Sequence, residues 1–288
     1  MRLRTLPLAL SSIGTGSFLA FATGYFQWTI FILAIFTTIC LQILSNLAND
    51  YGDAIHGADN DLRVGPMRTV QAGEISASSM KRGIIVFVVL SLVFGIELLY
   101  YAFGLSSTYF LVFLLLGVLC LLAAYYYTAG SNPYGYAGLG DLAVLVFFGV
   151  VGVGGTYFLF TRGLQAQILL PAVALGAFST AVLNVNNLRD REVDARAGKH
   201  SIPVRLGREK AIVYHWLLLA TGLVSASIFI SLLDYQWHRL VFLLSVPFFI
   251  RNAMAVERIK DPKLLDPYLK QLALSTFLFS ILFGVSII

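Results

Sequence analysis

The feature that most constrains this chain is a series of apolar runs, each long enough to cross a lipid bilayer as a helix. A span needs about 20 residues, because a helix rises about 1.5 Å per residue through a hydrocarbon layer of about 30 Å. Backbone polar groups in lipid must bond to one another, so runs of this length are helices. The sequence predicts nine spans, with these bounds: Leu6–Phe26, Thr29–Leu47, Gly83–Phe103, Thr108–Tyr127, Asp141–Phe160, Ile168–Leu188, Ile212–Leu232, Arg239–Met254 and Leu269–Ile288. We therefore predict an all-α polytopic membrane protein, in which residues 1–288 form one integral membrane domain.

The distribution of basic residues gives an independent test of the span count. If the N-terminus is cytoplasmic, nine spans leave 18 of the 20 Lys and Arg residues on the cytoplasmic side, and only Arg162 and Arg239 on the other. This asymmetry is the one expected from the positive-inside rule. The basic residues flank the membrane, so the net charge of +5 does not indicate a nucleic-acid partner. We expect a multi-pass protein of the cell (inner) membrane, with its N-terminus and polar loops in the cytoplasm.

Two clusters of carboxylates and amides stand where apolar spans end. In the second cluster, Asn186, Asp190 and Asp194 are four residues apart, a spacing that puts them on one face of a helix. The first cluster follows the second span, and consists of Asn46, Asn49, Asp50 and Asp53. Hard oxygen ligands of this kind suit Mg²⁺, which commonly completes its shell with water and phosphate oxygens. No His or Cys falls within either column, which argues against zinc.

Basic residues follow both clusters, so the pattern predicts two Mg²⁺ half-sites that clamp a diphosphate. The cations expected to bind phosphate oxygens are Arg63, Arg68, Lys199 and Arg205. One alternative reading treats these as ordinary helix-end charges, which explains the basic residues but not the columns of acids. A second alternative is a cation-coupled transporter, whose acids are expected near the bilayer midplane. Both clusters here lie at the same end of the predicted bundle, which favours an enzyme.

The segment Tyr125–Gly140, between the fourth and fifth spans, contains no charged residue and is rich in tyrosine and glycine. Its Gly, Pro and Asn residues mark turns. We interpret it as the border of an entry path for an apolar molecule. Asp141 opens the fifth span, where a helix N-cap role and a catalytic role both stay open.

The paired motifs Asn49-Asp50-x-x-Asp53 and Asp190-x-x-x-Asp194 resemble those of the UbiA superfamily of intramembrane prenyltransferases, whose fold is a nine-helix bundle. A closer resemblance, to the dihydroxynaphthoate polyprenyltransferases of menaquinone synthesis, runs from the first helix to about residue 210. It includes Arg63-x-Gly65-Pro66-x-Arg68, Gly138-Leu-Gly-Asp141 and Asn187-x-Arg189-Asp190. Many members of that group have Glu at the position of Asp141.

The resemblance implies a polyprenyl transfer from polyprenyl diphosphate to 1,4-dihydroxy-2-naphthoate, with loss of CO₂ and diphosphate, in contact with membrane lipid. It implies Mg²⁺, as two ions, held by Asn49 and by the four catalytic acids Asp50, Asp53, Asp190 and Asp194. Asn46, Asn186 and Asn187 are expected to join the basic residues in substrate binding. Tyr51 and Tyr157 are expected to stabilise an allylic cation. Another aromatic acceptor, such as a hydroxybenzoate or homogentisate, remains an alternative.

Overall fold

The structure is a computed structural model that describes residues 5–55 and 76–288. These residues contain helices and no strands. The helices are α1 (Leu6–Ala22), α2 (Trp28–Ile55), α3 (Ala77–Phe103), α4 (Thr108–Tyr126), α5 (Gly140–Thr161), α6 (Leu169–Arg196), α7 (Ile202–Ser231), α8 (Trp237–Arg258) and α9 (Asp266–Ile287). The predicted all-α class is confirmed.

The helix count agrees with the nine predicted spans. Eight helices of the described residues are long and apolar enough to cross a membrane, and α1 is a shorter apolar helix of 17 residues. The larger boundary differences lie at one end of the bundle, where α2 continues to Ile55 and α6 to Arg196. At the opposite end, α1 stops at Ala22, four residues before the predicted end of its span. The polar clusters therefore remain helical beyond the apolar runs, because their side chains are packed against neighbouring elements rather than exposed.

Helix α6 lies at the centre of the bundle. It contacts α1, α5, α7 and α9, and its side chains are buried along most of its length. Helix α5 approaches it closely because Gly149 faces Gly176, and a Cβ atom added to Gly176 would lie 2.7 Å from the carbonyl oxygen of Leu145. The stretch Leu145–Gly155 of α5 is π-helical, a wider winding that often occurs at functional sites.

An aromatic cluster joins α6 to the last two helices. The ring of Phe178 stacks on that of Phe249, with 4.3 Å between the ring centroids, and meets Phe279 edge-on. Helix α9 also packs against α1, where the hydroxyls of Thr15 and Ser280 are 2.8 Å apart. These contacts fix the C-terminal helices against the central helix that carries the second polar cluster.

Helices α2, α3 and α4 pack against one another at the other side of the bundle. Their outward faces expose large apolar side chains such as Ile85, Val89, Leu111 and Leu115. In water such a surface would be costly, but it suits contact with lipid. The C-terminal ends of α2, α4, α6 and α8 lie at the same end of the bundle as the N-terminal ends of α5, α7 and α9, and we call this the motif end.

Candidate active site

One cavity of about 460 Å³ runs from the motif end into the bundle, between helices α1 to α6. At the motif end it is lined by amides, carboxylates and one ammonium group, from Asn46, Asn49, Asp53, Asn186, Asn187, Asp190, Asp194 and Lys199. Deeper in the bundle its walls are apolar, and include Leu98, Leu99, Phe113, Phe147 and Phe148. The cavity therefore offers one polar and one apolar compartment to the same ligand.

The column predicted on α6 is present in the structure. Asn186, Asp190 and Asp194 all line the cavity, and both acids are buried. On α2 the lining face is formed by Asn46, Asn49 and Asp53, while the buried Asp50 is not among the lining residues. On a helix that turns about 100° per residue, Asn49 and Asp53 lie about 60° and 20° to one side of Asn46, whereas Asp50 lies about 40° to its other side, at the edge away from Asn49.

Lys199 connects the two clusters. Its ammonium lies 2.9 Å from Oδ1 of Asp53 and 3.6 Å from Oδ1 of Asp194. It also lies 4.7 Å from the centre of the Tyr136 ring, and the hydroxyl of Tyr136 donates to Asp53 at 2.8 Å. A single cation thus neutralises one carboxylate from α2 and one from α6.

The uncharged segment between α4 and α5 closes over the motif end. Thr128 donates to the side chain of Asn49 at 3.0 Å, and a Cβ atom on Gly52 would lie 2.5 Å from the backbone oxygen of Thr128. Burial raises the pKa of Tyr134 to about 12, so this cavity-lining phenol stays protonated and donates to the carbonyl of Ala123 at 2.9 Å. The segment that we interpreted as an entry border is therefore part of the cavity wall.

Arg205 fixes this same segment in the structure. Its guanidinium donates to the carbonyl of Ala137 at 2.7 Å and to that of His200 at 2.9 Å, and Arg205 is not among the residues lining the cavity. The backbone N–H of His200 donates to the carbonyl of Tyr136 at 2.9 Å. Arg205 thus holds the loop that follows α6 against the segment that covers the cavity.

A buried arginine that sequence reasoning left without a role holds Asp190. Nε of Arg189 donates to one oxygen of Asp190 at 2.9 Å and Nη2 to the other at 2.6 Å, while Nη1 pairs with Asp266 of α9. Nη2 also donates to the side chain of Asn186 at 3.0 Å. Only 2% of Arg189 is exposed. Asp266 lies outside both motifs, so no local spacing pointed to it.

Four further expected positions lie elsewhere or outside the described residues. Tyr157 is 2% exposed and packs in the hydrophobic core, because its side of α5 faces other helices. Tyr51 packs against Met80 and Ile84 of α3, so neither tyrosine lines the cavity. Arg63 and Arg68 lie outside the described residues.

Asp141, whose role was open, lines the same cavity and is buried. The hydroxyl of Tyr214, on α7, donates to its Oδ1 at 3.1 Å. The side chain of Thr180, on α6, donates to its backbone carbonyl at 3.4 Å. The backbone of Asp141 is thus fixed by α6 and its carboxylate by α7.

The donor atoms at the motif end fit a hard divalent cation. Carboxylate and amide oxygens from α2 and α6 face one space, and none of the histidines that the structure describes lines it. Within the described residues, no three acidic or metal-ligating side chains are close enough to enclose an ion by themselves. This suits Mg²⁺, which usually takes one or two carboxylates and fills its remaining positions with water and substrate phosphate.

Comparison with known proteins agrees with this geometry. Residues 9–281 match the model of the UbiA prenyltransferase family. The chain is 44% identical to 1,4-dihydroxy-2-naphthoate octaprenyltransferase of Haemophilus influenzae, over 100% of this chain and 94% of that protein. It is 42% identical to the protein of the same name from Escherichia coli, over 100% of this chain and 93% of that one.

Two solved structures share the fold at low identity. A UbiA homolog from Aeropyrum pernix, solved in its apo form, matches with a TM-score of 0.70 and 17% identity, over 98% of this chain and 99% of that one. A UbiA homolog from Archaeoglobus fulgidus, bound to GPP and Mg²⁺, matches with a TM-score of 0.64 and 17% identity, over the same shares.

Proposed function

The chain belongs to the UbiA prenyltransferase family, and on that basis we propose that it transfers a polyprenyl group from polyprenyl diphosphate to 1,4-dihydroxy-2-naphthoate. The reaction releases diphosphate and CO₂ and gives demethylmenaquinol, the reduced form of demethylmenaquinone. The observation that carries this proposal is the single cavity that joins two clusters of carboxylates to a long apolar compartment. A polyprenyl diphosphate has the same two parts, a polyanionic head and a hydrocarbon tail.

The diphosphate head fits the motif end. Lys199 lies between Asp53 and Asp194 and supplies an ammonium for phosphate oxygens. Arg63 and Arg68 are proposed to reach the same head from outside the described residues. Mg²⁺, proposed as two ions held by Asn49, Asp50, Asp53, Asp190 and Asp194, supplies the positive charge that stabilises the leaving diphosphate.

The apolar compartment accounts for the remaining chemistry that the protein must provide. Its walls exclude water from the allylic cation that forms when the bond to diphosphate breaks, and so prevent capture by hydroxide. Phe147 and Phe148 line this compartment, and aromatic faces stabilise a nearby cation. The ring carbon that bears the carboxylate then attacks the cation, and loss of CO₂ restores the aromatic ring.

We further propose that the motif end faces the cytoplasm. The segments at this end hold nearly all of the Lys and Arg residues, as the positive-inside rule requires of cytoplasmic loops. This orientation exposes the diphosphate half of the cavity to substrates made in the cytoplasm. The apolar outer faces of α3 and α4 suit contact with membrane lipid.

A direct test uses the purified protein in detergent with Mg²⁺, octaprenyl diphosphate and a panel of aromatic acids. We expect transfer to 1,4-dihydroxy-2-naphthoate with release of labelled CO₂ from its carboxylate. Asp53→Asn and Asp194→Asn should abolish transfer, while Asp234→Asn, a change of the same kind at the opposite end, should not. Products that keep the carboxylate, or transfer to 4-hydroxybenzoate alone, would identify a different acceptor.

A further inference from the structure

Asp141 differs from the other carboxylates of the cavity in what neutralises it. Asp53 and Asp194 share the ammonium of Lys199, and Asp190 is held by the guanidinium of Arg189. Asp141 accepts from the neutral phenol of Tyr214, and in the described part of the chain no basic side chain forms an ion pair with it. Within the described residues, the carboxylate of Asp141 therefore has no cationic partner.

Asp141 is buried, so its carboxylate is energetically unfavourable when no ligand donates a hydrogen bond to it. Only 8% of the residue is exposed, and the surface that remains faces the cavity. A buried carboxylate is stable only where donors surround it. Among the described residues, Tyr214 is the one side chain that donates to it. The cavity is the remaining direction from which a further donor can arrive.

We propose that Asp141 binds the 1-hydroxyl of the aromatic acceptor and takes its proton during the transfer. This inference rests on the proposed function. It places the aromatic acceptor beside Asp141, whereas the paired clusters bind the diphosphate of the prenyl donor. The two halves are close, because the phenol of Tyr127 lies within electrostatic range of Asp141 and also of Asp53 and Asp194. Tyr214 acts as a positioning residue that fixes one oxygen of Asp141.

The chemistry of the acceptor gives the 1-hydroxyl its role. A bond forms between the allylic carbon and ring carbon 2, while the carbon–oxygen bond to diphosphate breaks and its electron pair leaves with the diphosphate. The 1-hydroxyl, next to the attacking carbon, supplies electrons and loses its proton to Asp141, which leaves a ketone at carbon 1. A carboxylate adjacent to that ketone loses CO₂, and the electron pair of the broken bond enters the ring. The resulting naphtholate recovers the proton from Asp141, so the carboxylate ends as it began.

The decisive experiment pairs one substitution with one change in the acceptor. The probes are 1,4-dihydroxy-2-naphthoate and its 1-methoxy and 4-methoxy ethers, and their dissociation constants are measured by calorimetry in detergent. The wild-type protein should bind the 1-methoxy ether at least about tenfold more weakly than the parent acid, since a hydrogen bond to a charged group is worth about 1.5–3 kcal/mol. The 4-methoxy ether should show a much smaller loss. In Asp141→Asn the difference between the two ethers should disappear.

The same variant should lower kcat/KM for the parent acid by about 100-fold or more, the usual effect of removing a general base. Mg²⁺-dependent binding of the prenyl diphosphate should remain unchanged in Asp141→Asn, which also shows that the variant is folded. Asp141→Glu should recover part of the turnover and of the preference for a free 1-hydroxyl. Asp261→Asn, at an exposed turn, is the matched control and should behave as wild type.

Two results would overturn the assignment. The first is a folded Asp141→Asn protein with wild-type turnover, and the second is a variant that still discriminates against the 1-methoxy ether. If the wild-type protein transfers no prenyl group to any hydroxylated aromatic acid, the proposed function fails first. If the wild type transfers the group and the Asn variant is unaffected, only the role of Asp141 fails.

Discussion

At the scale of single residues, three carboxylates of the candidate site are paired with two cations. Lys199 serves Asp53 and Asp194, and Arg189 serves Asp190. The sequence predicted the oxygen column on α6 because residues four apart on one helix must share a face. It did not reveal the clamp around Asp190, because Arg189 and Asp266 are 77 residues apart and belong to different helices.

Replacement of Lys199 by Gln should weaken binding of the diphosphate about tenfold or more. The variant loses the ammonium that faces phosphate oxygens and leaves Asp53 and Asp194 to repel the incoming anion. Calorimetric titration with a prenyl diphosphate in the presence of Mg²⁺ measures the change. Lys210→Gln removes the same charge from an exposed position on α7 and should leave the affinity unchanged.

Replacement of Arg189 by Leu should destabilise the protein by about 3–5 kcal/mol, because it leaves Asp190 as an uncompensated buried charge. Arg189→Lys should recover part of that stability, but an ammonium cannot reproduce the bidentate contact of the guanidinium with both oxygens of Asp190. Asp266→Asn should have a smaller effect, since that side chain is partly exposed. Chemical denaturation in detergent gives the three values, and equal stability in all of them would refute the clamp.

At the scale of helices, the sequence predicted the apolar runs well and their polar ends less well. The span from Thr108 was placed within one residue, because lipid contact and hydropathy set both its ends. Helices α2 and α6 continue past the predicted spans, because packing among the polar residues keeps the chain helical there. The π-helical winding of α5 was also beyond prediction, since it depends on how closely α6 approaches.

Replacement of Gly176 by Ala should destabilise the bundle by about 1–3 kcal/mol, the usual cost of an overpacked interior. The added Cβ atom would meet the backbone of α5, which has no flexible end that can move aside. Gly117→Ala on α4 is the control, because no atom lies within 4 Å of its Cβ position. Thermal unfolding of both variants should therefore separate them, and a similar shift in each would contradict the close approach of α5 and α6.

At the scale of the whole molecule, the helices of the described residues place the polar part of the candidate site at one end of the bundle. Reporters fused after Arg82 and Arg208 should therefore register in the cytoplasm, and one fused after Arg162 should register outside. We base this prediction on the basic residues at that end, because the positive-inside rule places such segments in the cytoplasm. The reverse pattern would separate the diphosphate half of the cavity from the cytoplasmic supply of substrate.

The contact between Arg189 and Asp266 also has a consequence for how the protein is made. The ribosome completes α6 long before it reaches α9, so the guanidinium enters the bilayer with one of its two anionic partners not yet synthesised. In a nascent chain that stops before Asp266, Arg189 of the central helix α6 lacks one of its two ion pairs. The candidate site is therefore complete only when α9 has been inserted, although both of its polar clusters are translated much earlier.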